Sequence, residues 1–190
     1  EQLFYELLHF TYATAYHRSP SPDRAISWAY YHICDEFRRR APVDSTDAKQ
    51  EVVEAVMEEA DRASDEALKD HGPLSTTSLT NYRRFIEPLD PSVYQGSEVT
   101  LRSFAPKELV LATIDHLYRT DVVSGTIGYG DLLELTGDTI DTVCTILLLQ
   151  EESVTDVIEH VASMDARLSL QSDYQLRVRL TDPVEINDLA

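Results

Sequence analysis

Lysine is almost missing from this chain. Three lysines (Lys49, Lys69, Lys107) stand against 13 arginines and 34 acids, for a net charge of −18. Taken alone, that balance argues against a nucleic-acid partner, because phosphates are gripped by surplus cation. Cysteine is scarce too. Cys34 and Cys144 lie 110 positions apart in apolar runs. This excludes a disulfide-stapled scaffold and predicts small buried hydrophobes in a reducing, cytoplasmic compartment. No stretch approaches the roughly 18 consecutive apolar residues of a membrane span, and no signal peptide is read at the start. With six glycines and six histidines, the chain has no GxGxxG, Walker loop, GxSxG or HExxH. No catalytic residue, cofactor, metal or membrane contact is therefore expected. What is present is 43% hydrophobic and 26% charged over 190 residues, enough for a real core in one domain or two small ones. Glu1 stands where an initiator Met would, so the sequence is expected to begin part-way into a longer chain.

The acids are spread over the whole length. Together with the near loss of Lys, this resembles the bias of salt-in halophiles, whose cytoplasm holds molar salt. A merely acidic mesophilic protein is the alternative. At about 1 M ionic strength the Debye length is roughly 3 Å, and repulsion among carboxylates is screened. Net charge then no longer excludes DNA, and local charge must decide.

The spacing of Leu3, Leu7, Phe10 and Ala13 predicts a helix over 2–17. Ser19-Pro20-Ser21-Pro22 ends it, and Ser21 with Pro22 opens a second helix to about residue 40. That helix is expected to bury Ile26, Trp28, Ala29, Ile33 and Phe37. A third, over 47–70, is opened by Asp47 with Gln50, as in a capping box. Val53, Val56 and Met57 continue into an Ala-rich stripe at Ala60, Ala63 and Ala67, a candidate contact for a neighbouring helix or a partner. Gly72-Pro73 stops it. Residues 73–103, rich in Ser, Thr and Pro, read as a connector with one short helical piece over 79–86.

The last third is the most informative. The pattern predicts a helix over 106–118, an extended piece over 122–127 and a helix of one or two turns at Asp131–Thr136 (DLLELT). Gly137 then turns the chain. Asp138 or Thr139 caps a helix over 140–150, and Ser153 with Asp156 caps another over 154–164. Alternation around a Ser172-Asp173 turn predicts a hairpin, with Leu176, Val178 and Leu180 on one face and Arg177 and Arg179 on the other. This order is carried by DLLELTGDTIDTVCTILLLQEE (131–152) and DYQLRVRLTD (173–182). It resembles the winged helix-turn-helix superfamily over about 104–182, with 154–164 as an extra segment that departs from the pattern. The expected fold is mainly α: a three-helix layer over 1–72, the connector at 73–103, a winged-helix-like domain with a small β-hairpin over 104–182 and a tail at 183–190.

The resemblance implies DNA reading by the 139–150 helix, which requires Arg, Lys, Asn or Gln at base edges. Its outward positions are Asp138, Asp141, Thr142, Thr145 and Gln150, and Asp131–Glu159 holds eight acids and neither Lys nor Arg. High salt silences repulsion but supplies no donors. Arg177 and Arg179, with Arg167 nearby, are the candidate phosphate contacts, with cross-strand charge pairing as the structural alternative. Arg38, Arg39 and Arg40 suit a helix C-terminus through its dipole or, with Arg83 and Arg84, an anion or acidic partner. Acid–histidine pairs occur at Glu6/His9, at Asp156/His160 and at His32 beside Asp35 and Glu36. A di-iron bundle needs two ExxH motifs and two further glutamates, and a single ExxH occurs. TIGYGD (126–131) matches the potassium-channel filter string, whose chemistry needs four membrane-embedded copies, so its glycines are read as a tight approach to the next helix. The sequence points to a non-enzymatic adaptor or assembly subunit that meets a protein partner, or itself, through helix three and the acidic surface including Asp138 and Asp141. A DNA-associated regulator with wing arginines on phosphates is the alternative, and a metal-carboxylate helical enzyme the more distant one.

Overall fold

The computed structural model describes residues 2–17, 24–63, 74–90, 92–120 and 127–184. Among these are seven α-helices and two three-stranded antiparallel sheets, so the chain is mainly helical. It divides into two compact units, Glu1–Leu101 and Arg102–Ala190.

In the first unit, α1 (Gln2–Thr14) packs on α2 (Arg24–Arg40), α2 on α3 (Lys49–Ala63), and α3 on α4 (Thr76–Arg83). The 3.6-residue spacing puts Tyr30, Ile33, Cys34 and Phe37 of α2 fully inside. Ile26, expected inside, is outward, because the stripe runs through Ala25 instead. The turn before α3 is capped by Asp44 rather than Asp47. Its carboxylate accepts the Thr46 and Asp47 N–H groups at 2.7 and 3.1 Å, while Gln50 donates forward to Glu54. The Ser19–Pro22 and Gly72-Pro73 signals lie outside the described residues.

Residues 74–101, read from sequence as connector, lie inside the first unit. The helix there starts earlier than expected, at Thr76, because the Ser75 hydroxyl caps it by accepting the Ser78 N–H. Leu79, Ile86, Val93 and Val99 are fully buried. Strands β2 (Tyr94–Gln95) and β3 (Glu98–Val99) form a hairpin, and β1 (Val43–Asp44) pairs with its β3 edge in the order β1-β3-β2.

The second unit runs α5 (Lys107–Arg119), β4 (Leu133–Glu134), α6 (Gly137–Leu147), α7 (Val154–Met164), β5 (Leu168–Gln171), β6 (Arg177–Leu180). Its sheet order is β4-β6-β5, with Leu133 opposite Val178 and Leu170 opposite Val178 on the other side. The expected helix at Asp131–Thr136 is not formed. Leu133 and Leu135 are buried in a two-residue alternation, and six residues are too few to repay a helical nucleus. Gly137 is the first residue of α6 rather than a turn before it, and Thr136, not Asp138 or Thr139, is the cap. Thr139 reaches back to accept the Thr136 N–H at 2.8 Å. The expected extended piece at 122–127 lies outside the described residues except for Ile127.

Tyr118 fastens α5 to the sheet. Its hydroxyl donates to the Asp131 carbonyl at 2.7 Å and accepts the Leu180 N–H at 3.2 Å, and its ring stacks on Tyr129 at 5.6 Å and 9°. Substituting Tyr118→Phe strands a buried N–H and a carbonyl, so denaturant unfolding of the variant is expected to show a loss of about 1–3 kcal/mol. An unchanged midpoint would count against this role.

Candidate functional site

The helix expected to enter a groove is interior. On α6, Thr139, Thr142 and Thr145 are buried together with Val143, Cys144, Ile146 and Leu147, and the helix packs against both α5 and α7. Sequence reading placed Thr142 and Thr145 outward because they are polar. A threonine can bond its own helix instead: the Thr142 hydroxyl donates to the Asp138 carbonyl at 2.9 Å and enters the core satisfied. Of the proposed contact residues here, Asp138 is exposed and Asp141 half-buried.

The accessible helix is α7. Val154, Val157, Ile158 and Val161 face inward, and Asp156, Glu159, His160, Ser163 and Met164 face solvent. Within Val154–Met164 there is no Lys or Arg. The expected Ser153 cap forms no side-chain bond. Beside this face stands Phe104, missed by sequence reading, 54% exposed with its ring edge-to-face with His160 at 5.7 Å. Met164 is 48% exposed.

The three arginines near the hairpin divide. Arg167 is spent within the unit, since Nε and a terminal nitrogen donate to Asp165 at 3.0 and 2.9 Å. Lys107 reaches the same carboxylate at 3.4 Å. The Arg167 hydrogen bonds hold the Asp165 carboxyl well below the usual carboxylate range. Arg177 and Arg179 share the outer sheet face, as expected, with Glu134 directly opposite Arg177 and Ser169 opposite Arg179. Arg177 donates to the Gln175 side chain. Among the described residues neither makes an ion pair, and the Arg179 Nε is buried without a hydrogen-bond partner.

In the first unit, the arginine run at the end of α2 is claimed by its own helix. Arg38 and Arg39 reach Asp35 at 3.0 and 2.7 Å, and Arg40 reaches Glu36 at 3.0 Å. A cleft of about 410 Å³ between α2 and α3 is lined by His32, Arg39, Arg40, Glu58, Glu59 and Arg62, among others, and Arg62 again pairs within its helix, with Glu58 and Glu59. Burial holds the His32 imidazole below its ordinary pKa, favouring the neutral form. Ala60 is half-buried and Ala63 exposed; Ala67 lies outside the described residues.

Glu6 and His9 are both buried, and His9 Nδ1 is 2.6 Å from the Tyr30 hydroxyl. Burial pushes the Tyr30 hydroxyl and the Cys34 thiol up, so both stay protonated. Among the described residues no group of three or more His, Cys, Asp or Glu side chains could hold a metal ion, and no helix is long and apolar enough to cross a membrane. In the TIGYGD stretch, Gly130 has φ +91°, a conformation suited to glycine, and its N–H bonds the Leu180 carbonyl at 2.7 Å. Thr126 lies outside the described residues.

Comparison with known proteins returns no match: no family model matches the chain, and neither a curated protein nor a solved structure matches it.

A carboxyl with a lowered folded pKa stabilises fully above its unfolded value, about 3.9, and loses that contribution as pH falls toward the folded one. Unfolding measured from pH 5 to pH 2 should therefore show wild-type stability falling, and a shallower fall in Asp165→Asn. Equal slopes would contradict the Arg167 assignment.

Proposed function

We propose that the second unit is a winged-helix-like module used for protein contact, in a non-enzymatic adaptor or assembly subunit. The order α5-β4-α6-α7-β5-β6 and the sheet order β4-β6-β5 favour the winged-helix likeness. In this reading 154–164 is no longer an extra segment. It is the helix standing where such folds carry their reading helix, and α6 is the supporting one behind it. The observation that carries the protein-contact reading is the outer face of α7: carboxylates, a histidine, a serine and a methionine, with no Lys or Arg. Base edges and phosphates call for arginine, lysine and amide donors.

A second reading keeps a specific observation in its favour. Arg177 and Arg179 lack a carboxylate partner among the described residues, so a DNA-associated regulator could use them on a phosphate backbone. Mobility-shift titration with duplex DNA in molar KCl separates the two. The adaptor reading expects no shift. A shift that disappears in an Arg177→Ala/Arg179→Ala chain would establish the regulator instead.

A further inference from the structure

We propose that the outer face of α7 docks an apolar, arginine-bearing segment of a partner protein. This rests on the protein-contact reading and adds the partner's chemistry to it. Phe104 and Met164 each keep about half their surface in water, although most large apolar side chains of this unit are buried. They belong to one patch: His160 meets the Phe104 ring edge-to-face, and Met164 follows His160 by one helical turn. The two exposed apolar side chains thus flank one histidine on a helix face that otherwise carries carboxylates and a serine.

Charge complementarity selects the occupant. Asp156 and Glu159 lie on the same exposed face, and Glu151 and Glu152 are exposed just before the helix. Among the described residues neither Asp156 nor Glu159 has an ion-pair partner. The cations near the C-terminal end of the helix, Lys107 and Arg167, are already held by Asp165. An acidic segment, or a second copy presenting this same face, would set carboxylate against carboxylate. Arginine answers both halves of the patch. Its fork takes a carboxylate through two hydrogen bonds, and its flat face covers an aromatic ring. Lysine, a hydrated point charge, does neither as well. Molar salt weakens the charged half of such a contact but removes attraction beyond a few ångströms almost entirely, so binding that remains there depends on direct contact.

The test uses phage-displayed random peptides of about 16 residues, selected on the full chain in about 2 M KCl, where non-specific attraction of polycations to an acidic surface is screened. Recovered sequences should pair arginine with apolar residues. Labelled synthetic copies should bind Phe104→Ser/Met164→Ser and Asp156→Asn/Glu159→Gln chains at least about tenfold more weakly than wild type. They should bind a Glu54→Gln/Glu58→Gln control, altered on α3, as wild type does. All six positions are exposed, and circular dichroism checks each variant's fold. The proposal is overturned if no peptide is recovered, if the recovered peptides lack arginine, or if binding survives both double substitutions. Duplex binding through Arg177 and Arg179 would remove the protein-contact reading itself. A chain that binds neither DNA nor peptide removes only the docking assignment.

Discussion

The α6 helix has almost nowhere to meet water. Seven of its residues are buried, its threonines turn their hydroxyls back onto backbone or stay in the core, and α5 and α7 both lie against it. Such a helix organises the unit and leaves only its N-terminal turn, at Gly137 and Asp138, open to solvent. Its enclosure leaves the outer face of α7 and the outer face of the sheet as the broader exposed surfaces. The Tyr118 hydroxyl holds that arrangement by bonding the Asp131 and Leu180 backbones at once, so the short β4 strand and the hairpin are fixed to α5 through one oxygen.

How legible all this was from the sequence depends on how local the deciding contacts are. Helices α1, α2, α5 and α7 announce themselves by apolar spacing, and the alternating faces of the hairpin are as expected at Val178 and Leu180. The strand at Leu133–Glu134 could not be read, because two residues become a strand only by pairing with Arg177 and Val178, more than forty positions later. The β2–β3 hairpin hid for a similar reason in a Ser/Thr/Pro texture; its one local sign was Gly96, which adopts φ +67° between the strands. The acidic surface was legible in sign but not in extent: the absence of basic residues from Asp131–Glu159 could be counted, whereas how much of it each helix carries to solvent depended on whether threonine faces in or out. Phe104 offered no signal, since a single aromatic ahead of a helix more often belongs to a core.

The arginines explain how so acidic a chain stays locally balanced. Arg38, Arg39, Arg40, Arg62, Arg83 and Arg119 each pair with a carboxylate three or four residues away on the same helix or at its end. The pair exposed at both ends, Arg62 with Glu58, adds little stability by itself, whereas Arg38 and Asp35 meet largely out of water. The larger effect of these pairs is on what remains: cation is consumed close to where it is made, so the outer faces are left acidic except at the sheet, where Arg177 and Arg179 stand apart.

Arg102 sits at the first position of the second unit, yet its work is done 45 residues further on. Its Nε donates to the Leu147 carbonyl at 2.6 Å, its N–H to that of Leu148 at 3.0 Å, and its own carbonyl accepts the Gln150 N–H at 2.9 Å. These bonds satisfy the helix end where Leu148 swings into a left-handed conformation at φ 47°. The unit is therefore laced shut by its own opening residue. An isolated fragment cut even one residue too late, at Ser103, would leave the α6 terminus frayed and the turn into α7 unanchored.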